Sequence, residues 1–181
     1  MSTPSPPQPA KLIIGLLMKD KELNEPVAER LIKQFGAVDV ISSWLPFDYT
    51  EYYRPEMGGP LFRRIFSFKE LIDQGALADI KTATNSIEKQ YYTGNKRRVN
   101  IDPGYMLPSR FILATGKDYA HRIYIGKGIY ADLTLIYVKG GFKKLPWTYP
   151  DYAADNILSF LIMVRKKYIS DYKNEFSGKI K

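Results

Sequence analysis

Cysteine is absent from the 181 residues, which excludes disulfides, thiolate metal centres and cysteine nucleophiles together. Histidine is nearly as scarce. His121 is the only one, so a conventional zinc centre, built from several imidazoles or thiolates, is excluded too. Nucleotide-binding signatures are also missing. Gly126-Lys127 has no glycine five residues earlier, so there is no P-loop, and no Gly-x-Gly-x-x-Gly opens a helix after the first strand. Long greasy runs are lacking: the longest, ILSFLIMV, stops far short of a bilayer's thickness.

What is present is tyrosine and positive charge. Fourteen tyrosines accompany 27 Lys+Arg against 19 Asp+Glu, a net charge of +8. That surplus favours anionic partners such as nucleotides, phosphorylated metabolites or RNA, and is equally the mark of a basic surface. Residues 1–10, with four prolines and no apolar stretch, read as a disordered tail rather than an address. Residues 11–175 are expected to form one domain and 176–181 a flexible basic tail. No membrane association is expected, and the cytoplasm is the expected compartment.

Apolar periodicity orders the domain. Residues 11–18 are apolar on both alternating faces, a buried central strand. A helix follows, with Asn24 as N-cap, Pro26 in its first turn, Val27, Leu31 and Ile32 on one face and Gly36 as its stop. Residues 38–47 read as a second strand, 48–60 as a long loop and 61–68 as a third strand. Leu77, Ile80, Thr84, Ile87 and Tyr91 repeat at helical spacing. A fourth strand at 98–101 is expected to end in a type II turn at Asp102-Pro103-Gly104. A strand at 110–115, a hairpin and a helix from Pro150 to about Tyr172, with Thr148 as a cap, complete the chain. Two successive split β-α-β units imply an α+β, ferredoxin-like sheet, extended by the hairpin and a long C-terminal helix. A doubly wound parallel sheet is the alternative.

The hairpin carries the densest chemistry. A three-residue loop, Gly126 to Gly128, pairs Ile125 with Ile129, Ile123 with Ala131 and His121 with Leu133. Arg122 then faces Asp132 and Tyr124 faces Tyr130, with Thr134 next along the polar face, while His121 turns toward apolar neighbours. The Arg122–Asp132 pair is either a cross-strand ion pair or an arginine aimed by a carboxylate at a phosphate. Lys117 and Asp118 stand at the strand mouth and add weight to the second option.

Elsewhere, Asp48 and Glu56 sit on the tyrosine-rich loop and could hold Mg²⁺ through oxygen ligands, or simply cap and solvate it. Lys96, Arg97 and Arg98 precede Asn100 and Asp102, forming a second candidate anion site. The expected ligand contacts are therefore Lys117, Arg122, Arg98 and Asn100, with Tyr124 and Tyr130 stacking on a base and Asp132 orienting the arginine. Asp118, Asp102 and His121 are the candidate catalytic groups, and Asp48 and Glu56 the candidate metal ligands.

The segments PFDYTEYYRPEMG, VNIDPGYM, KDYAHRIYIGKGIYADLTLIY and WTYPDY together resemble a bacterial family known only as domain of unknown function 4416. The likeness runs nearly end to end, from Leu12 to about Tyr172. It implies no activity, cofactor or site. The residues themselves point to binding or processing of a small phosphate-bearing ligand, a nucleotide above all, with Mg²⁺ as a possible aid. An RNA-binding module or an assembly protein is the alternative.

Overall fold

The computed structural model describes residues 3–176. It is an α+β protein built on one nine-stranded sheet. Strand β1 (Ala10–Met18) is completely buried, as a run apolar on both faces requires. Gln8 donates to the Tyr168 hydroxyl, which in turn donates to the Pro9 carbonyl, so chain order begins before the strand.

Helix α1 (Asn24–Phe35) buries Val27 and Leu31, whereas Ile32 lies outside the contact face, 43% exposed. Its end is the predicted one: Gly36, at φ 91°, donates to the Ile32 carbonyl. Residues 38–47 break into two strands rather than one, β2 (Val38–Ile41) and β3 (Leu45–Phe47). The break falls at Ser42, whose backbone N–H reaches the Ile65 carbonyl while its hydroxyl accepts from the Ile65 N–H. A short helix α2 (Arg54–Met57) interrupts the tyrosine-rich loop. Strand β4 (Leu61–Ile72) then runs four residues beyond its predicted end.

Helix α3 (Leu77–Lys89), strand β5 (Val99–Leu107) and strand β6 (Arg110–Thr115) follow. After them come β7 (Arg122–Gly126), β8 (Ile129–Val138), β9 (Gly141–Lys144) and α4 (Asp155–Phe176). Helix α4 starts five residues after Pro150, beyond a run of turns. Thr148 is spent elsewhere, donating to the Thr134 carbonyl and accepting from the Leu145 N–H.

The strand order is β2-β4-β1-β5-β6-β8-β7, with β3 also on β4 and β9 also on β8. The ladders are antiparallel, so the doubly wound parallel alternative is excluded. Helices α1 and α3 cover one face through Val27, Leu31, Ile80 and Ile87, against Leu12, Ile14, Leu16 and Phe66. Helix α4 covers the other with Ile157, Phe160, Leu161 and Val164 on Ile13, Ile65, Phe111 and Leu135. Each such buried aliphatic contributes roughly 1.5–3 kcal/mol. Among the described residues, no helix is long and apolar enough to cross a membrane.

The expected turn at Asp102-Pro103-Gly104 does not form; β5 runs straight through it. Proline is tolerated because Pro103 pairs with Ile14 of β1 on one side only, the β5–β6 ladder beginning one residue later at Gly104–Leu113. Gly104 serves close approach rather than a turn. A Cβ there would stand 2.3 Å from the Ile112 carbonyl oxygen.

The hairpin keeps its predicted pairs Arg122–Asp132, Ile123–Ala131 and Tyr124–Tyr130. Its closure differs. Gly126, not Ile125, pairs with Ile129, leaving a two-residue turn of Lys127 (φ 55°) and Gly128 (φ 72°), with a bulge between Tyr124 and Gly126. Two positive φ values suit the twist of a tight hairpin, and the bulge absorbs the odd residue.

Candidate functional site

The end of the β5–β6 ladder opens the sheet. From Val99 to Pro103, β5 pairs with β1, while Ala114 and Thr115 of β6 pair only with β8. The two strands part, and a cavity of about 700 Å³ fills the split. Two side chains of α3 stand in for the missing strand. Lys81 donates to the Ile101 carbonyl at 2.7 Å, and Glu88 accepts from the Ile101 N–H. They reach it because positions 77, 81, 84 and 88 share one buried helical stripe.

Arg63 of β4 forms the centre of the floor. It is fully buried, with its Nε 2.9 Å from Asp151 Oδ2 and its Nη1 3.5 Å from Asp102 Oδ2. Nη1 also donates to the Tyr152 hydroxyl at 3.2 Å. A side chain on Gly15 would meet both that nitrogen and that hydroxyl at 2.8 Å, so the bare backbone of β1 makes the room. Burial opposes the charge of Arg63, but the carboxylates of Asp151 and Asp102 favour it, and its pKa is raised. Asn100 donates to Asp102 at 2.8 Å and accepts from Arg97, which grips Glu56 through two hydrogen bonds of 2.8 and 2.7 Å.

Aromatic rings form the walls: Phe47, Tyr49, Tyr52, Tyr53, Tyr149 and Tyr152. Arg63 lies 5.3 Å from the Phe47 ring centre and 5.1 Å from that of Tyr152. At the mouth, Lys117 donates to the Tyr52 hydroxyl at 2.9 Å and sits 4.1 Å above its ring.

Burial sets the proton affinities here. It pushes the Glu88 carboxyl up to about 7, the attraction of Lys81 notwithstanding. It also raises Asp151 against the pull of Arg63. The Tyr53 and Tyr152 phenols are driven far above their usual range, chiefly by desolvation, and stay neutral.

Of the residues expected from the sequence, Lys117, Asn100 and Asp102 line the cavity. Arg122 and Asp132 stand behind its wall. Arg122 donates to Asp132 Oδ2 at 2.9 Å, to the Lys117 carbonyl at 2.9 Å and to the Tyr149 hydroxyl at 2.6 Å. Asp132 is wholly buried and also accepts from the Thr134 hydroxyl. The arginine thus holds one wall tyrosine and the mouth loop in place.

His121 does not turn to Leu133 as the alternation implied. Strand β7 starts only at Arg122, so His121 lies in a turn closed by the Arg122 N–H on the Tyr119 carbonyl, free of the period-two rule. Its Nε2 is 3.3 Å from Asp132 Oδ2, and its ring stacks between Tyr119 and Trp147.

The remaining expectations scatter. Tyr124 and Tyr130 meet edge to face at 5.4 Å, with Tyr124 60% exposed and neither on the cavity. Arg98 pairs with Asp20 on the surface, and Asp118 and Asp48 are exposed and outside the lining. Glu56 is committed to Arg97, and neither it nor Asp48 lines the cavity. Among the described residues no group of three or more His, Cys, Asp or Glu could hold a metal ion.

Arg63, Lys81, Glu88 and Asp151 are the members the sequence reading missed. The first three carry a signal. Arg63 occupies a core position between Leu61 and Ile65, and Lys81 and Glu88 interrupt the apolar stripe of α3.

Comparison with known proteins places the chain by family alone. The family model described as domain of unknown function (DUF4416) matches residues 8–168. The chain belongs to this family. No curated protein and no solved structure matches it.

Proposed function

We propose that this DUF4416 protein binds a small phosphate-bearing ligand of the nucleotide class in the split between β5 and β6. The observation that carries the reading is the cavity itself. A space of about 700 Å³ combines aromatic walls with four cations, Arg63, Lys81, Arg97 and Lys117. Flat rings suit a base, cations suit a phosphate, and the volume lies in the range of small-ligand pockets. Glu88, titrating near 7, supplies a group able to exchange a proton at neutral pH should the ligand also be processed. Mg²⁺ enters this reading as a companion of the ligand's phosphates rather than as a resident ion, because Glu56 is already engaged by Arg97. The order β2-β4-β1-β5 also supports reading the first half of the sheet as a split β-α-β, ferredoxin-like unit.

A thermal-shift series with nucleoside mono-, di- and triphosphates, with and without Mg²⁺, tests this. A ligand well above its Kd and selective for the folded state raises Tm. No response across the series rejects the nucleotide reading. A salt titration separates it from RNA binding. A pocketed nucleotide loses little affinity with salt, whereas RNA held by many phosphate contacts loses it steeply.

A further inference from the structure

The four cavity cations are not equivalent. Arg63 is enclosed by Asp102, Asp151 and Tyr152, and Arg97 by Glu56 and Asn100. Lys81 is tied to the Ile101 carbonyl and lies 4.0 Å from Asp102. Lys117 differs: its ammonium meets only the hydroxyl and ring face of Tyr52, and among the described residues it has no carboxylate partner. A phosphate at the mouth therefore meets a cation whose charge is not already neutralised. A phosphate at the floor would meet the oxygens of Asp102 and Asp151, where like charges are poorly screened.

The floor has the opposite need. Asp102 Oδ2 accepts from Asn100, but among the described residues Oδ1 has no hydrogen bond, and the side chain keeps 23% of its surface open. An ionised carboxylate only accepts. Whatever reaches it must bring O–H or N–H groups, or leave a desolvated oxygen unpaired.

We propose that the cavity takes its ligand in one polarity: the phosphate of a 5′-phosphorylated nucleoside outward on Lys117, and the donor-bearing end inward on Asp102. The inference rests on the nucleotide reading above and adds the orientation and the specificity. The donors have two sources, the ribose diol and an exocyclic amine of the base, and the probes below separate them.

Calorimetric titration of the full chain with adenosine 5′-monophosphate, adenosine, 2′-deoxyadenosine 5′-monophosphate, purine riboside 5′-monophosphate and inorganic phosphate tests the proposal. In the wild type, removing the phosphate should weaken binding at least tenfold. In Lys117→Ala the monophosphate should bind no more tightly than adenosine binds the same variant. Either the 2′-deoxy or the purine riboside probe should lose about tenfold in both proteins, which identifies the donor that Asp102 reads. In Asp102→Asn that penalty should vanish; if the variant does not fold, the wild-type probe comparison stands in its place. The proposal is overturned if Lys117→Ala keeps the full preference for the monophosphate over adenosine. It is equally overturned if both donor-lacking probes bind as well as the parent, or if inorganic phosphate matches it. Binding of no probe at all rejects the nucleotide reading and this polarity with it, an outcome distinct from binding in the wrong orientation.

Discussion

At the scale of single residues, the cavity floor is a balance of desolvation against pairing. Glu88 shows it best. Its carboxyl titrates near 7 in the fold against 4.5 for an exposed glutamate, through burial first, partly opposed by Lys81. The folded state therefore holds the proton more tightly than the unfolded chain. The stabilisation is full below about pH 4.5 and is lost as pH rises through 7. Glu88→Gln keeps an oxygen for the Ile101 N–H and removes the charge. It should raise stability above pH 7.5 by about 1–3 kcal/mol and change little below pH 4.5. Urea unfolding at pH 4.5 and 8 checks this, and equal effects at both pH values would contradict it. Arg63 is the reverse case. Arg63→Met strands two carboxylates in the interior and should cost about 3–5 kcal/mol, read as a lower urea midpoint at neutral pH.

At the scale of elements, the site exists because two neighbouring strands part. Gly104 sets where they part, being the last residue of β5 that β6 can approach closely. Gly104→Ala would push the β6 backbone away, at a cost of about 1–3 kcal/mol. It should also extend the split, so hydrogen exchange at Leu113 should quicken more than at Leu16, which β1 keeps inside intact ladders. The hairpin contributes through Arg122, whose three hydrogen bonds tie Asp132, the Lys117 carbonyl and Tyr149 together. Arg122→Lys keeps the charge but not the planar fork. Amide exchange should accelerate between Gly116 and His121 while the β1–β4 ladder stays protected. Uniform acceleration would mean global destabilisation instead.

At the scale of the whole molecule, helix α4 and the pair α1–α3 clamp opposite faces of one sheet, so the cavity inherits its rigidity from both layers. Lys11, wholly buried, pairs with Asp39 and with Asp171 of α4, joining three elements far apart in the chain. Leu161→Ala, in the middle of the α4 contact, should cost about 2–5 kcal/mol. If the layers unfold together, the urea m-value stays unchanged while the midpoint falls. A second transition would show α4 leaving by itself.

Periodicity and local signals determined the elements that are regular over many residues: β1, the body and stop of α1, the α3 stripe, and the Arg122–Asp132 register. These depend on local geometry, a period of 2 or 3.6, which any stretch of chain displays. Asn24, the expected cap of α1, is instead its first helical residue, and the cap is Leu23. Reading failed where a residue's role depended on partners far along the chain. Asp102-Pro103-Gly104 is turn-like by composition, yet it is a strand because β1 pairs with it and β6 needs the space beside Gly104. His121 lost its expected face because the strand stopped one residue short of it. Composition marked a basic chain, the order of elements an α+β fold, and the motifs Lys117, Asn100 and Asp102. Only the tertiary structure joined these to Arg63, Lys81, Glu88 and Asp151. Charged groups belong in a core when specific partners offset their desolvation, and those partners come from β4, β5, α3 and the turn before α4.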